Sequence, residues 1–384
     1  MRKPQDWGHP CANPDCSHSR LINRGNMSAI ATYLTQRGKR RIFRCSKCES
    51  TFSETRATVF FDLRTPEEKV MMALKMLLVK VALSDIGFVL GVTEETVLAW
   101  LRRAAQKAQE INAHLLRDLP VTQVQLDEMW NFIRRKQAQQ AGPDGESSDL
   151  SADGRQWVWI SFAPEFRLIL AAFVGPRTFA SALQLIQMTA AVVLGVPSFF
   201  SDGFSCYLSA LIEVYHTLKT FPRTGKPGRP KQPVKEPHPD LVYGQVVKKK
   251  HQGRLQALVY RVRCGAKRFE ELGLSISTSL LERLNLTLRQ ALAPLVRKSG
   301  SFCKDRTQMR RRVVLFQAFY NFARPHMSLR LPLPEQEPHA SGLIQLKWCH
   351  RTPGMAAGLT DHVWTFRALL TAKFEPIHNQ SGSG

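Results

Sequence analysis

The sequence is short of acidic side chains. Over 384 residues it has 31 Asp and Glu against 54 Lys and Arg, which gives a net charge of +23. It is also short of cysteine, because eight in a chain of this length are too few for a secreted disulfide scaffold. With 43% hydrophobic residues it can bury a core, and its length predicts two or three domains. This composition favours a folded protein with a polyanionic partner, nucleic acid or an anionic membrane surface, over an enzyme of small molecules.

One uncharged stretch, residues 178–201, is long enough to cross a bilayer. Glutamines interrupt it, however, and Gly195-Val196-Pro197 breaks it. The pattern favours a helix that is capped by Thr178 and ends at Gly195, followed by a buried strand at 198–201. No basic-then-apolar leader opens the chain. We therefore expect neither a membrane helix nor secretion.

The positive charge is concentrated in three blocks. Residues 1–64 hold 12 basic and 5 acidic side chains, residues 219–268 hold 14 and 2, and residues 297–330 hold 9 and 1. A charge that serves solubility would be spread along the chain, so the blocks favour three contact surfaces for the polyanion. Solvated loops without a partner are the alternative for any single block.

Four of the eight cysteines form two close pairs, in CANPDC and RCSKC. Two such pairs, each on a tight turn, are the layout of a zinc ribbon, in which four thiolates close a tetrahedral site. So small a segment buries too little surface to fold alone, and the metal would supply the folding energy. His9 and His18 are alternative ligands, but two complete pairs make them unnecessary. The predicted zinc ligands are Cys11, Cys16, Cys45 and Cys48.

Three helices are predicted after the ribbon. The first runs from Pro66 to Lys80 behind a TPEE capping box, the second from a Ser84 cap to Gly91, and the third starts at a Thr93 cap. Helix, short helix, Gly turn and helix form the arrangement of a DNA-reading helix-turn-helix. An apolar stripe along the third helix predicts intramolecular core or, alternatively, a dimer seam. The basic side chains expected to face phosphates are Arg40, Arg41 and Arg44 of the ribbon and Arg102 and Arg103 of the third helix.

The central region reads as strand-rich α/β, and three acids lie at informative places in it. Asp127 falls in a predicted strand (QLDEMW), Asp202 ends a buried strand (FFSDGF), and Glu282 lies on a predicted helix (TSLLERLNLTLRQ). Converging carboxylates are costly unless divalent cations neutralise them, and two Mg²⁺ ions would assist an in-line phosphoryl displacement. For any one acid, a surface or capping role remains the alternative. Strand alternation predicts that Glu128 faces away from Asp127, so that only one of them is in the site.

With these motifs in order, the sequence resembles bacterial DDE-type transposases, and more narrowly the insertion sequence one family. The resemblance rests on CANPDC with RCSKCESTF, LDEMW, FFSDGFSCY, STSLLERLNLTLRQ and RKSGSF, within residues 11–330. It implies a ribonuclease-H-like catalytic domain, an α/β mixed sheet with flanking helices, in which Asp127, Asp202 and Glu282 are the triad. Asn285 and Arg289 would be their helical neighbours near the scissile phosphate. Further phosphate contacts would come from Arg283, Arg297 and Lys298.

The resemblance also implies an activity and partners. The protein would bind the terminal inverted repeats of an insertion sequence in double-stranded DNA, nick it with water activated by Mg²⁺ or Mn²⁺, and join the freed 3′-OH to target DNA. Two ends must meet, so a homodimer or higher oligomer in the bacterial cytoplasm, at the nucleoid, is expected. The alternatives are a non-catalytic DNA-binding regulator derived from a transposase and a structure-specific nuclease that never joins ends.

We predict four segments: a zinc ribbon (1–62), a helix-turn-helix domain (63–118), a catalytic domain (119–330) with a basic insertion at about 219–270, and a C-terminal extension (331–384). Two stretches depart from the compact family pattern, the polar one at 137–155 and the insertion. The KPGRPK run in the insertion resembles a minor-groove hook, although a basic Pro-rich linker is the favoured interpretation. In the extension, LPLPEQEP is predicted to be a linker and TDHVWTFRALL a short amphipathic helix that docks on the catalytic domain.

Overall fold

The computed structural model describes residues 9–13, 15–19, 21, 24–35, 38–133, 155–221, 231–252, 254–296, 300–338 and 345–374. Several predictions concern residues outside these ranges. They are the polar stretch at 137–155 except Arg155, the KPGRPK run except Lys231, the terminal SGSG, and the proposed DNA contacts Arg297 and Lys298.

The N-terminal segment contains a small antiparallel sheet of three strands in the order β1-β2-β3. These are β1 (Met27–Thr35), β2 (Gly38–Cys45) and β3 (Thr51–Ser53). Its buried side chains are few and form a cluster of their own, made of three cysteines with Met27 and Phe43. A cluster this small offers little apolar burial, as expected for a metal-dependent ribbon.

Three helices follow as predicted: α1 (Glu67–Leu77), α2 (Leu83–Leu90) and α3 (Glu94–Leu115). Thr93 caps α3 by accepting from the Thr96 backbone N–H at 3.2 Å, and Gly91 ends α2 in the left-handed conformation that glycine favours. Two boundaries were wrong. The first helix stops at Leu77 rather than Lys80, and α2 begins after Ala82, so Ser84 lies within the helix.

The predicted capping box of α1 is also wrong. Pro66 occupies the N-cap position, where no side chain makes a capping hydrogen bond. In the first turn, the carboxylate of Glu67 pairs with Arg40 of the ribbon and Arg367 near the C-terminus. These two ion pairs tie three distant segments of the chain together.

The stripe on α3 is intramolecular core, as the first interpretation predicted. Its side chains are buried, and α3 packs along a later helix, α8 (Arg306–Ala318). Within the described residues, one continuous apolar cluster includes buried side chains of α1, α3, the central sheet and α8. The buried residues of the stripe are Val97, Leu101, Ala104, Ala108 and Ile111.

The central sheet has six strands in the order β11-β10-β7-β4-β5-β6. Strands β4, β7 and β10 are mutually parallel, whereas β5, β6 and β11 run antiparallel to their neighbours. A separate pair, β8 with β9, forms a small antiparallel ribbon. The strands are β4 (Gln123–Phe132), β5 (Arg155–Ala163), β6 (Leu168–Gly175), β7 (Ser198–Asp202), β8 (His216–Lys219), β9 (Val234–Pro237), β10 (Tyr243–His251) and β11 (Arg254–Cys264).

Helices flank this sheet: α4 (Phe179–Ala190), α5 (Cys206–Val214), α6 (Ala266–Glu271), α7 (Ser279–Ala291) and α8. On β4, Asp127 contacts α7 and Glu128 contacts α5, so these two helices cover opposite faces. The prediction of a mixed sheet with flanking helices is confirmed. The cap of α4 at Thr178 is confirmed too, although α4 ends at Ala190, before Gly195.

Strands β10 and β11 lie in the segment predicted to be an insertion. They have the predicted β structure, but β10 pairs directly with β7 and therefore belongs to the central sheet. Parallel strands must be joined by a long crossover connection, and the residues between β7 and β10 provide it. After this crossover the chain re-enters the sheet beside Asp202. This places basic side chains of the second charge block next to the acids.

The C-terminal segment contains β12 (Leu331–Pro338), β13 (Gln345–Cys349), α9 (Pro353–Ala356) and α10 (Phe366–Thr371). The linker prediction for LPLPEQEP was wrong, since this run forms β12 in a two-stranded sheet, an edge position that tolerates proline. Only the second half of the predicted short helix is helical, as α10, which begins at Phe366 and buries Phe366, Leu369 and Leu370. It contacts residues 319–323 of the predicted catalytic domain, and it also contacts α3 of the predicted helix-turn-helix segment. Among the described helices, none has the length and apolar character that a bilayer crossing needs.

Candidate active site

Asp127 and Asp202 are neighbours across the sheet. Leu126 of β4 lies opposite Ser201 of β7 in the parallel register, so the two aspartates occupy the next position of adjacent strands. One oxygen each of Asp127, Glu128 and Asp202 lies within 4.8 Å of the others. The topology thus brings the first two predicted triad members together, and it adds Glu128.

Glu282 lies outside that tight group but lines the same cleft, which has a volume of about 430 Å³. It is the fourth residue of α7, which enters the site behind Thr278. Its carboxylate accepts from Lys248 Nζ of β10 at 2.5 Å and from the Thr278 hydroxyl at 3.2 Å. In this structure Lys248 therefore neutralises the third predicted acid.

Helix α7 is anchored to β4 by two bonds. The Leu281 backbone N–H donates to the Gln125 side chain at 2.9 Å, and the Asn285 amide donates to Asp127 Oδ2. Asn285 is buried on the helix face that meets the acids, and Arg289 is half-buried one turn further along. The neighbouring Arg283 is exposed. The buried residues Leu281, Leu284 and Leu288 determine which face of α7 packs against the sheet.

Glu128 corrects one prediction. Its side chain leaves β4 on the face opposite Asp127, as alternation requires, yet its carboxylate belongs to the same acidic group. One oxygen accepts from Arg177 Nε at 2.8 Å and the other from the Tyr207 hydroxyl at 2.9 Å. The longer Glu side chain reaches past the edge of β4 towards Asp202, so alternation does not exclude it from the site.

Arg177 completes this arrangement from the turn before α4. Its guanidinium carbon lies 4.3 Å from the Phe204 ring centroid and 5.0 Å from that of Trp157. Stacking on two rings and pairing with Glu128 hold the cation at the cleft wall. Arg177 therefore fixes Phe204, two residues after Asp202, relative to β4.

The acidic side chains that line the cleft outnumber its cationic side chains, which are Arg177 and Lys248. Burial, and then the charges of Asp202 and Glu282, raise the pKa of Asp127 to about 6, although the Glu128 N–H and the Asn285 amide oppose the shift. Burial and Asp202 likewise raise the pKa of Glu128 to about 7, against the pull of Arg177 and Tyr207. A set of clustered oxygens with elevated pKa values suits a hard divalent cation, which would favour the ionised forms.

The four predicted zinc ligands converge on one point. Their sulfur atoms lie within 4.8 Å of one another, with Cys11 and Cys48 at 3.5 Å and Cys16 and Cys45 at 3.9 Å. Bonds of 2.3 Å to a tetrahedral zinc ion would hold sulfurs about 3.8 Å apart, so the spacing fits. The Asn26 amide donates to the Cys45 sulfur at 3.2 Å, a bond that favours a thiolate.

Two of the predicted phosphate contacts, Arg40 and Arg103, bind other parts of the same chain. Arg40 is largely buried and pairs with Glu54 and Glu67, so its guanidinium holds the ribbon against α1. Arg103 donates to the Phe61 carbonyl in the loop before α1. Both predictions are unsupported, because a charge beside buried acceptors is satisfied there and not displayed to a ligand.

The remaining basic side chains are at the surface. Arg41 and Arg102 are exposed, and so is Arg44, which pairs with Glu49 at 3.1 Å. Their contact with DNA stays a prediction.

Sequence reasoning missed the partners of the acids: Glu128 with Arg177 and Tyr207, and Lys248 with Glu282. Their loops and strands are distant in sequence, and no local spacing links them. The Lys248–Lys250 run on a predicted strand was the only available signal, since alternation sends part of such a run to the face of the sheet that carries the acids.

No protein-family model matches this sequence, and no curated protein matches it. Among solved structures, the Mos1 strand transfer complex matches at 13% identity with a TM-score of 0.16, over 38% of this chain and 54% of that chain. The Mos1 transposase paired-end complex with left transposon end matches at 14% identity with a TM-score of 0.15, over 38% and 56%. The Mos1 mariner paired end complex with Mn matches at 13% identity with a TM-score of 0.15, over 35% and 52%. The chain spans about half the length of the structures it matches, and so slight an overlap carries neither fold nor function.

Proposed function

We propose that this chain is a DNA transposase of the DDE type, with a ribonuclease-H-like catalytic domain related to the insertion sequence one family. The observation that carries the proposal is the single cleft lined by Asp127, Asp202 and Glu282. The three acids come from the central strand β4, from the end of its parallel neighbour β7 and from helix α7. The chain as a whole has a net charge of +23. Clustered acids in a strongly basic protein suit phosphodiester chemistry, because the cations hold the DNA while the acids bind metal.

Two Mg²⁺ or Mn²⁺ ions held by Asp127, Asp202 and Glu282 would activate water and stabilise charge on the attacking and leaving oxygens. Attack of this water on the phosphorus breaks the bond between phosphorus and the 3′ oxygen. The nick then carries a 3′-OH on one side and a 5′-phosphate on the other. That hydroxyl then attacks a target phosphodiester, forming the new bond and displacing the target's own 3′ oxygen.

The surrounding residues have positioning roles in this proposal. Asn285 holds the Asp127 carboxylate through its hydrogen bond, and the Glu128–Arg177 pair holds the turn that follows Asp202. Lys248 must leave Glu282 when metal binds, and its ammonium is then free to meet the substrate phosphate.

The N-terminal third of the chain would recognise the DNA. We assign zinc to the four cysteines and terminal-repeat binding to the ribbon and α1–α3, with Arg41, Arg44 and Arg102 as surface contacts. Arg283, Arg297 and Lys298 are proposed to contact phosphates near the site. Two ends must be joined, so we propose a homodimer or higher oligomer acting in the bacterial cytoplasm at the nucleoid.

The test is cleavage and joining of DNA that carries the ends of the encoding element, with Mg²⁺ or Mn²⁺. Wild-type protein should nick the ends and yield joined products. Asp127→Asn, which can still accept one of the two hydrogen bonds that Glu128 N–H and Asn285 donate to Asp127, should bind the DNA but lose both reactions. Asp361→Asn is the matched control, because that side chain is 93% exposed.

The alternatives give different products. Nicking of branched DNA without joining would indicate a structure-specific nuclease. Sequence-specific binding without metal-dependent cleavage would indicate a regulator that retains the transposase fold. Joining by the Asp127→Asn protein would contradict the triad assignment.

A further inference from the structure

A second cleft, with a volume of about 800 Å³, lies between the ribbon, α3 and the segment after α10. The ribbon side contributes Phe52, the loop before α1 contributes Phe61, and the C-terminal segment contributes Phe374. The ribbon, α3 and the C-terminal segment, which are distant from one another in sequence, therefore enclose one space. Five cationic side chains line it: Arg56, Arg102, Arg103, Lys107 and Lys373.

Acidic side chains do not balance these cations. Glu110 is the acid among the lining residues, and it pairs with Lys107 at 2.5 Å. Arg103 is held by the Phe61 carbonyl. Within the described part of the chain, neither Arg102 nor Lys373 forms an ion pair with a carboxylate. The cleft therefore carries positive charge that has no anionic partner among these residues.

Lys373 shows the imbalance most clearly. It is half-buried, donates to the Glu54 backbone carbonyl at 3.3 Å and hydrogen-bonds to His9 Nδ1. The carboxylate of Glu54 is turned instead to Arg40. Burial and the nearby Lys107 lower the pKa of Lys373 to about 8, although the charge of Glu54 opposes the shift, so the ammonium is charged at neutral pH at a cost. An anion in the cleft would remove that cost.

We propose that this cleft binds a phosphate group of the DNA backbone, with Lys373 and Arg102 as its ligands. The source assigned to the phosphate rests on the proposed function. Arg102 of α3 is exposed, Lys373 of the C-terminal segment is half-buried, and both line this cleft, so an anion bound there would meet a cation from each of the two segments. The rings of Phe52, Phe61 and Phe374, which also line the cleft, suit contact with the apolar faces of a nucleotide. Such a contact positions DNA without reading its sequence, so α3 serves here as a wall of the phosphate site.

The test measures binding of the full chain to labelled DNA over a range of salt concentrations. Lys373→Gln and Arg102→Gln should each weaken binding to end-bearing and unrelated DNA by the same factor. Each should also reduce the salt slope by about one, because one phosphate contact is lost. Lys347→Gln is the control, since that side chain is exposed on β13 and falls outside the three basic blocks. Circular dichroism and zinc content of each variant confirm that it is folded.

A parallel measurement separates the two sources of phosphate. Inorganic pyrophosphate should stabilise the wild type against heat, and less so either variant. A loss of this stabilisation with an unchanged DNA salt slope would assign the cleft to a free phosphate ligand and overturn the DNA assignment. If neither quantity changes in either variant, the phosphate site itself is wrong. Asp127→Asn should keep the full salt slope, so failure of catalysis and failure of this cleft are distinguishable.

Discussion

Asp127 carries a charge that its surroundings disfavour in the absence of metal. Its pKa in the folded protein is about 6, against an ordinary value of 3.8. Between these values the folded state binds more protons than the unfolded state, so the free energy of unfolding falls as pH rises through this range. Above about pH 6 the full penalty applies, and below about pH 4 it is absent.

Replacing the acid should therefore stabilise the protein. Without added Mg²⁺ or Mn²⁺, Asp127→Asn should raise the free energy of unfolding at pH 7.5 by up to about 3 kcal/mol, the equivalent of a two-unit shift. The gain should shrink as pH falls towards 5. Thermal unfolding across this range measures it, with Asp361→Asn as the control. Destabilisation at pH 7.5 would mean that the hydrogen bonds from Glu128 N–H and Asn285 outweigh the cost of burying the Asp127 charge.

Lys248 competes with metal for Glu282. Lys248→Ala frees the carboxylate and removes a positive charge from the cleft, so Mn²⁺ should bind more tightly by calorimetry. Lys249→Ala is the matched control, because it removes the same charge one residue along β10, where alternation turns the side chain to the other face. Equal effects of the two variants would show that only the net charge matters.

Glu128 supports the site by holding Arg177. Glu128→Ala removes a fully buried carboxylate and leaves both Arg177 and the Tyr207 hydroxyl without their partner. We expect a loss of roughly 2–4 kcal/mol at pH 5, where Glu128 is protonated in the folded state, measured by urea unfolding. The loss should be smaller at pH 7.5, because the raised pKa of Glu128 means that its ionised form costs free energy there. Glu213→Ala removes a half-exposed pair with Lys235 and should cost less than about 1 kcal/mol. Similar losses for the two would contradict the structural role of Glu128.

Among the elements, the ribbon has the smallest core and depends on the metal most. Cys48→Ser should lose bound zinc, of which we expect about one ion per chain, and its β-sheet should become sensitive to protease. Cys349→Ser removes an exposed thiol and should leave the zinc content unchanged. Metal analysis and limited proteolysis measure both effects. A Cys48→Ser protein with an intact, protease-resistant ribbon would contradict the zinc assignment.

Local signals in the sequence account for most elements. The Thr93 and Thr178 caps, the Gly91 stop and the leucine stripe of α7 are all decided within one or two turns, and the structure has them as predicted. β12 was missed because its prolines suppress the strand signal, while pairing with β13 compensates.

Contacts between elements were not predictable in this way. Arg40 was predicted to face DNA, and Lys248 was not singled out at all. Both bind carboxylates that are distant in sequence, and only the path of the chain brings these partners close. The acids themselves were predictable because strand ends and a helix face restrict where each can point.

At the scale of the whole molecule, the predicted helical and catalytic segments share one apolar core. Leu101 of α3 is fully buried in it, and Leu101→Ala should cost about 2–5 kcal/mol. Because the core is shared, the helical and catalytic parts should unfold in a single transition. Calorimetry with activity measured in parallel tests this, and Val89→Ala, at a 61% exposed position, is the control. Two separate transitions would support independent domains.

The docking of α10 on α3 has a consequence for synthesis on the ribosome. Arg367 pairs with Glu67, and Leu370 accepts from the Val59 backbone N–H, so residues made early wait for residues made about 300 positions later. Domains usually fold in the order in which they emerge. Here the first helices cannot reach their final packing until the end of the described chain has left the exit tunnel. The N-terminal helices therefore lack part of their packing for most of translation.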